Sequence, residues 1–92
     1  AELEGILLEH PSVADAAVIG KEDLEHGEIP KAFVVKKQGA EITADELMGY
    51  VATQVATFKR VREIEFVESV PKNPSGKLLR RVLVEQERLK SS

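Results

Sequence analysis

Lys77 is the residue of this chain whose setting points most directly to chemistry. It lies in "VPKNPSGKLLRR", residues 70 to 81, where two prolines, a Ser-Gly pair and four cations precede an apolar helical pattern. Pro71 and Pro74 restrict φ at their own positions and bias Val70 and Asn73 away from the helical region. Gly76 supplies conformations that a side chain would forbid. Pro74, Ser75 and Gly76 therefore shape a stiff turn ahead of Lys77. An ammonium held this way suits short-range contact with a phosphate or carboxylate oxygen, where charge-assisted hydrogen bonds are strongest. A solvated lysine on an ordinary hairpin is the competing reading from the residues alone, because Pro-Ser-Gly is common turn chemistry.

Other site chemistries find little support. A phosphate-binding P-loop needs a glycine five residues before its Gly-Lys pair and Ser or Thr just after it. Those positions hold Pro71 and Leu78. With no cysteine there is neither a disulfide framework nor a thiolate metal site. His10 and His26 stand far apart without ligand-like spacing, so no metal site is expected. His10 reads as a cap or surface residue before Pro11, and His26 as part of a polar loop.

Charge narrows the partners. The chain has 92 residues and a net charge of −3. Between Thr57 and Arg81, seven bases face three acids, a local +4 that leaves −7 on the remainder. An acidic body with one basic segment does not suit generic nucleic-acid binding, which favours a broad basic face. An RNA-binding module would also need exposed aromatics on its strands. The pattern fits a local contact with a small anion or a neighbouring acidic surface. No apolar run reaches the ~18 residues of a membrane span, and the opening residues show no signal-peptide pattern. A cytoplasmic location is the default expectation. The start at Ala1, already inside a helical pattern, suggests a piece of a longer protein.

The elements that must position Lys77 follow from periodicity. "ELEGILLEH" places Leu3, Ile6 and Leu7 on one helical face, and Pro11 stops the helix. "SVADAAVIG" reads as a buried strand ending at Gly20, and "KEDLEHGEIP" as a surface loop. "KAFVVKK" is the clearest strand. Thr43 and Glu46 spell a capping box, and Leu47, Val51 and Val55 form the apolar stripe of the helix that follows. "REIEFVE" alternates Ile64 and Phe66 with Glu63 and Glu65, the latter pair on the wet side. Tyr50 and Phe58 read as core edges. "KLLRRVLVEQERLK" carries Leu79, Val82, Leu83 and Leu89 at helical spacing. The sum is an α+β domain: about three main strands in a small sheet covered by helices, with a short hairpin turn carrying Lys77 before the last helix.

"PKNPSGKLLRR" resembles the terminal lysine motif of the acyl-adenylate-forming enzymes, the superfamily of acyl-CoA synthetases, 4-coumarate–CoA ligases, beetle luciferases and peptide-synthetase adenylation domains. "AELEGILLEHPSVADAAVIG" resembles the helix and strand that open that family's small C-terminal domain. "GEIPKAFVVKK" resembles its next strand, and "TADELMGYVATQVATFKRVREIEFVESVPKNPSGK" follows the rest in order. The resemblance covers Ala1 to about Leu83.

It implies that residues 1–92 are the mobile lid of an AMP-forming acid–CoA ligase whose large N-terminal domain and hinge lie outside the chain. It also implies ATP and Mg, held mainly by that absent domain, with CoA as co-substrate and a small carboxylic acid as substrate. Lys77 would be the catalytic residue, meeting the carboxylate oxygens, the α-phosphate and the ribose ring oxygen. The family's domain swings, presenting the lysine face for adenylation and the opposite face for thioester formation. Lys77 is therefore expected to be exposed and free of an internal ion pair. Lys59 and Arg60 match a family Phe-Lys-Arg position and read as interface residues, with the CoA phosphates as an alternative partner. Arg80 and Arg81 oppose the dipole of the last helix and would meet acids of the absent domain or lie solvated. Two alternatives stay open: a regulatory module whose Lys77 is recognised by a lysine acetyltransferase, and the lid of a peptide-synthetase domain.

Overall fold

In the computed structural model, which describes residues 2–56 and 59–90, six elements run α1 (Glu2–Leu8), β1 (Val13–Asp23), β2 (Gly27–Lys36), α2 (Ala44–Ala52), β3 (Glu63–Phe66) and α3 (Arg80–Lys90). The sheet order is β1-β2-β3, with β1 and β2 antiparallel and β2 and β3 parallel. The architecture is α+β: a three-stranded mixed sheet and three helices.

Both faces of the sheet are covered. On one, Ala16, Ala32 and Val34 pack with Leu7 of α1, Leu47 and Val51 of α2, and Val61, while Ile64 and Phe66 close the margin. On the other, Ala17, Ile19 and Phe33 pack with Val70 and with Leu83 of α3. Strand side chains alternate faces, so Val13 and Ala16 should oppose each other. A register shift between Val13 and Asp15 adds a residue and returns Val13 to the first face.

The capping box is formed as the sequence predicts: Thr43 Oγ1 accepts from the Glu46 amide at 3.1 Å, and Glu46 Oε1 accepts from the Thr43 amide at 3.2 Å. Helix α2 ends at Ala52, so Val55 lies beyond it, although it still packs against the first cluster. Three further expectations are corrected. Residues 21–30 are the end of a long hairpin, paired from Lys21↔Ile29 to Asp23↔Gly27, and not a loop. Asp23 Oδ2 closes the turn by accepting from the Glu25 and His26 amides, and Gly27 turns the chain at φ +79. Leu89, expected on the apolar face of the last helix, is 68% exposed, although that helix starts at Arg80 as expected. Phe58 lies outside the described residues.

The "wet" side of β3 is the third correction. Glu63 and Glu65 face α3, where they join an ionic network with Lys21 of β1, Lys31 of β2, and Glu87 and Lys90 of α3. Lys31 and Glu87 are only 4% and 6% exposed. Lys31 Nζ donates to Glu87 at 2.6 Å and to Glu65 at 3.0 Å. Burial alone would push the Glu87 carboxyl up, but the bonds from Lys31 and Lys21 outweigh it and hold the group below its ordinary value. Burial likewise works against the Lys31 ammonium, and its bonds to Glu87 and Glu65 raise it above the ordinary lysine value.

Candidate functional site

The hairpin of Lys77 is built around Asn73. Its side-chain Oδ1 accepts from the Ser75 amide at 3.1 Å, the Ser75 hydroxyl at 2.8 Å and the Lys77 amide at 2.9 Å. Its carbonyl accepts from the Gly76 amide, closing a four-residue turn with Pro74 second, where a fixed φ is favourable. Gly76 then adopts φ +87. A turn followed by a left-handed residue is the usual three-residue hairpin loop. The Asn73 amide donates to the Lys77 carbonyl, the Leu79 amide to the Pro71 carbonyl, and Lys72 pairs with Leu78 across the two arms. Asn73 was not singled out as a site residue from the sequence. The signal was there, since Asn-Pro-x-Gly places each residue at its preferred turn position.

The hairpin is anchored below and open above. Val70 is buried and Leu78 packs against the second cluster, whereas Pro74, Ser75, Gly76 and Lys77 are all exposed. Among the described residues, no ion pair or side-chain hydrogen bond engages the Lys77 ammonium. Two of its basic neighbours are engaged by acids of other elements. Lys72 Nζ lies 2.6 Å from Asp15 Oδ2 of β1. Arg80 reaches Glu4 of α1 with two nitrogens, Nε to Oε2 at 2.9 Å and Nη2 to Oε1. Arg80 therefore has a local partner that the sequence did not reveal, and Arg81 is exposed.

Lys59 and Arg60 stand apart from this hairpin in sequence and pairing. Both are exposed; Lys59 lies 3.9 Å from Glu2, and Arg60 lines a shallow depression with Met48 and Val61. His10 Nδ1 accepts from the Ser12 amide, a capping role, and its ring meets Tyr50 edge-on. Among the described residues, no three His, Asp or Glu side chains converge as a metal site, and no helix is long and apolar enough to cross a membrane.

A rigid turn with one outward ammonium can meet an anion without breaking an internal pair. Comparison with known proteins gives this geometry a context. The family model of the AMP-binding enzyme C-terminal domain matches residues 2–77. The chain belongs to this family. The matched stretch of the AMP-binding C-terminal domain ends on Lys77 itself. A 4-coumarate–CoA ligase-like protein of Oryza sativa subsp. japonica is 56% identical over 86 residues, which cover 94% of this chain and 16% of that protein. The 4-coumarate:CoA ligase 1 of Petunia hybrida is 52% identical over 90% of this chain and 15% of its own length. The acyl-CoA synthetase structure of Brucella canis superposes with a TM-score of 0.93 at 40% identity, over 99% of this chain and 17% of that one. The AMP-binding C-terminal domain described here thus spans about a sixth of the length of such relatives.

Proposed function

We propose that this domain is the mobile C-terminal lid of an AMP-forming carboxylic acid–CoA ligase, in which Lys77 stabilises acyl-adenylate formation from acid and ATP. One observation carries the reading: Lys72 and Arg80 are engaged by Asp15 and Glu4, while Lys77 is left exposed on a hydrogen-bonded turn. Adenylation brings a carboxylate against the α-phosphate and spreads negative charge over its non-bridging oxygens. A positioned ammonium stabilises that charge more in the transition state than in the ground state. Lysine suits a point where several oxygens converge on one compact charge. The relatives named as CoA ligases favour CoA over a carrier-protein acceptor.

In this reading ATP, Mg and the acid pocket belong to the large N-terminal domain, the lid's principal partner. Lys59 and Arg60 serve the interface with it or the CoA phosphates. The isolated domain should be inactive.

The test is to assay both half-reactions of the complete enzyme carrying Lys77→Ala. Pyrophosphate release from acid and ATP should fall by roughly 10²- to 10³-fold, the loss typical of a removed electrostatic donor. Thioester formation from supplied acyl-adenylate should change little. Equal loss in both steps would sink the assignment of Lys77 to the first. Intact adenylation would instead leave the regulatory reading, in which a lysine acetyltransferase recognises Lys77.

A further inference from the structure

We propose that Glu4 and Arg80 are positioning residues that aim the Lys77 hairpin, an inference that rests on the adenylation role of Lys77 proposed above. Glu4 belongs to α1, and its side chain is only 11% exposed. Its carboxylate accepts from the Val18 amide at 2.8 Å and from two nitrogens of Arg80. Val18 lies in β1, an edge strand of the sheet, so one carboxylate joins the first helix, the sheet edge and the start of α3.

Arg80 is the first residue of α3, where a cation opposes the helix dipole. A guanidinium there needs a compensating anion, and the planar fork of arginine makes the contact directional as well as attractive. Lys77 is three residues upstream. On the other arm of the hairpin, Lys72 is tied to Asp15, and Asp15 Oδ1 accepts from the Ala16 amide. Both roots of the hairpin are thus fixed to α1 and β1 by ion pairs. Within the hairpin the turn itself is held by Asn73. The angle at which the hairpin leaves the domain is set at its roots, and of the two root pairs Glu4–Arg80 is the less exposed on its acid side, 11% against 29%.

A small misplacement of a catalytic group can cost up to roughly a hundredfold in rate. In the complete enzyme, Glu4→Gln keeps the shape and an acceptor for the Val18 amide but loses the charge that meets Arg80. It should lower the turnover of pyrophosphate release roughly ten- to hundredfold, while the thioester step from supplied acyl-adenylate is retained. Arg80→Gln should do the same, and Arg80→Lys, which keeps charge without the fork, should fall between. The decisive measurement is the combination with Lys77→Ala. A clamp that acts through Lys77 has nothing left to aim, so Glu4→Gln should cost the Lys77→Ala enzyme nothing further in adenylation.

Additive losses, or equal losses in both half-reactions, would overturn the clamp while leaving Lys77 in its role. So would an Arg80→Gln enzyme that only raises the KM for CoA, which would make Arg80 a CoA contact. Should Lys77→Ala leave adenylation intact, the function proposed for the site and the clamp would fall together.

Discussion

Lys31 of β2 and Glu87 of α3 meet at 2.6 Å, with the residues 4% and 6% exposed. They form the centre of a network in which Lys21, Lys90, Glu63 and Glu65 surround the pair with alternating charge. Lys31 Nζ also stands 4.9 Å from the Phe33 ring centroid, so the ammonium covers the second apolar cluster as well as bridging to the helix. A buried pair of this kind is weak evidence of net stabilisation, yet removing one partner is costly because the other charge remains in a dry site.

The 92 residues should fold as an isolated domain, since each face of the sheet has its own cluster of buried side chains. In that domain Glu87→Ala should lower stability by about 3 kcal/mol, the lower end for a broken buried pair because Lys31 keeps Glu65. Urea unfolding followed by circular dichroism checks both points. A wild-type domain without a cooperative transition would refute the first, and an unchanged Glu87→Ala midpoint the second.

Acid should destabilise the same interface. The Glu65 carboxyl is held down chiefly by bonds from Lys90 and Lys31, and Glu87 is held down by Lys31 and Lys21 against the effect of burial. Groups with lowered folded values stabilise the fold above the ordinary 4.5 and lose that contribution as pH falls through the folded values. Lys21, chiefly through Glu63, and Lys31 are raised, so their contribution is complete below 10.5 and fades above it. The contribution of this interface should therefore be complete between these limits and fall at both ends. Glu87→Gln should flatten the acid limb, and an acid limb of unchanged steepness in that variant would refute the assignment.

Gly76 should resist side chains for conformational reasons alone. A Cβ there meets nothing within 4 Å, but φ is +87. Forcing an ordinary residue into that region costs about 1–2 kcal/mol. Gly76→Val should slow adenylation in the complete enzyme, and Gly76→Asn should do so less, because asparagine tolerates left-handed backbone. Asn73→Ala, which deletes the acceptor of three hydrogen bonds, should resemble Gly76→Val. Kinetics identical to wild type in all three would mean that turn geometry does not govern the lysine.

Thr43→Ala should cost about 1 kcal/mol of stability, the usual loss for a helix N-cap. The shift should appear in the urea midpoint with the slope unchanged, since the compactness of the native and unfolded states is not altered. A midpoint within error of wild type would show that the cap is redundant.

What the sequence made legible was local. Thr43 with Glu46, the apolar run of β2 and the Pro-Ser-Gly-Lys turn each carry their signal within a few residues, and each is present in the fold. The hairpin end at residues 21–30 was hidden because Glu22, Glu28 and their neighbours project into solvent. A strand that leaves the core loses its period-two pattern while keeping its backbone ladder. Lys31, Glu87 and Glu4 were hidden for a different reason. A charged side chain reads as wet, and their burial depends on partners separated by 34, 56 and 76 positions. The exposure of Lys77 follows from its turn, but the pairing of its neighbours Lys72 and Arg80 with acids of β1 and α1 does not, because no sequence window around the motif contains those acids.

The division of the core by the sheet has a consequence for how the domain breathes. Helix α3 rests on the smaller cluster and the ionic network, whereas α1 and α2 share the larger one. Such a helix can open as a cooperative unit while the rest of the structure persists. The Lys77 hairpin runs directly into α3, so the two should release together and exchange their amide protons at a common, lower free energy. The lysine's orientation can then be no more durable than the seating of that one helix.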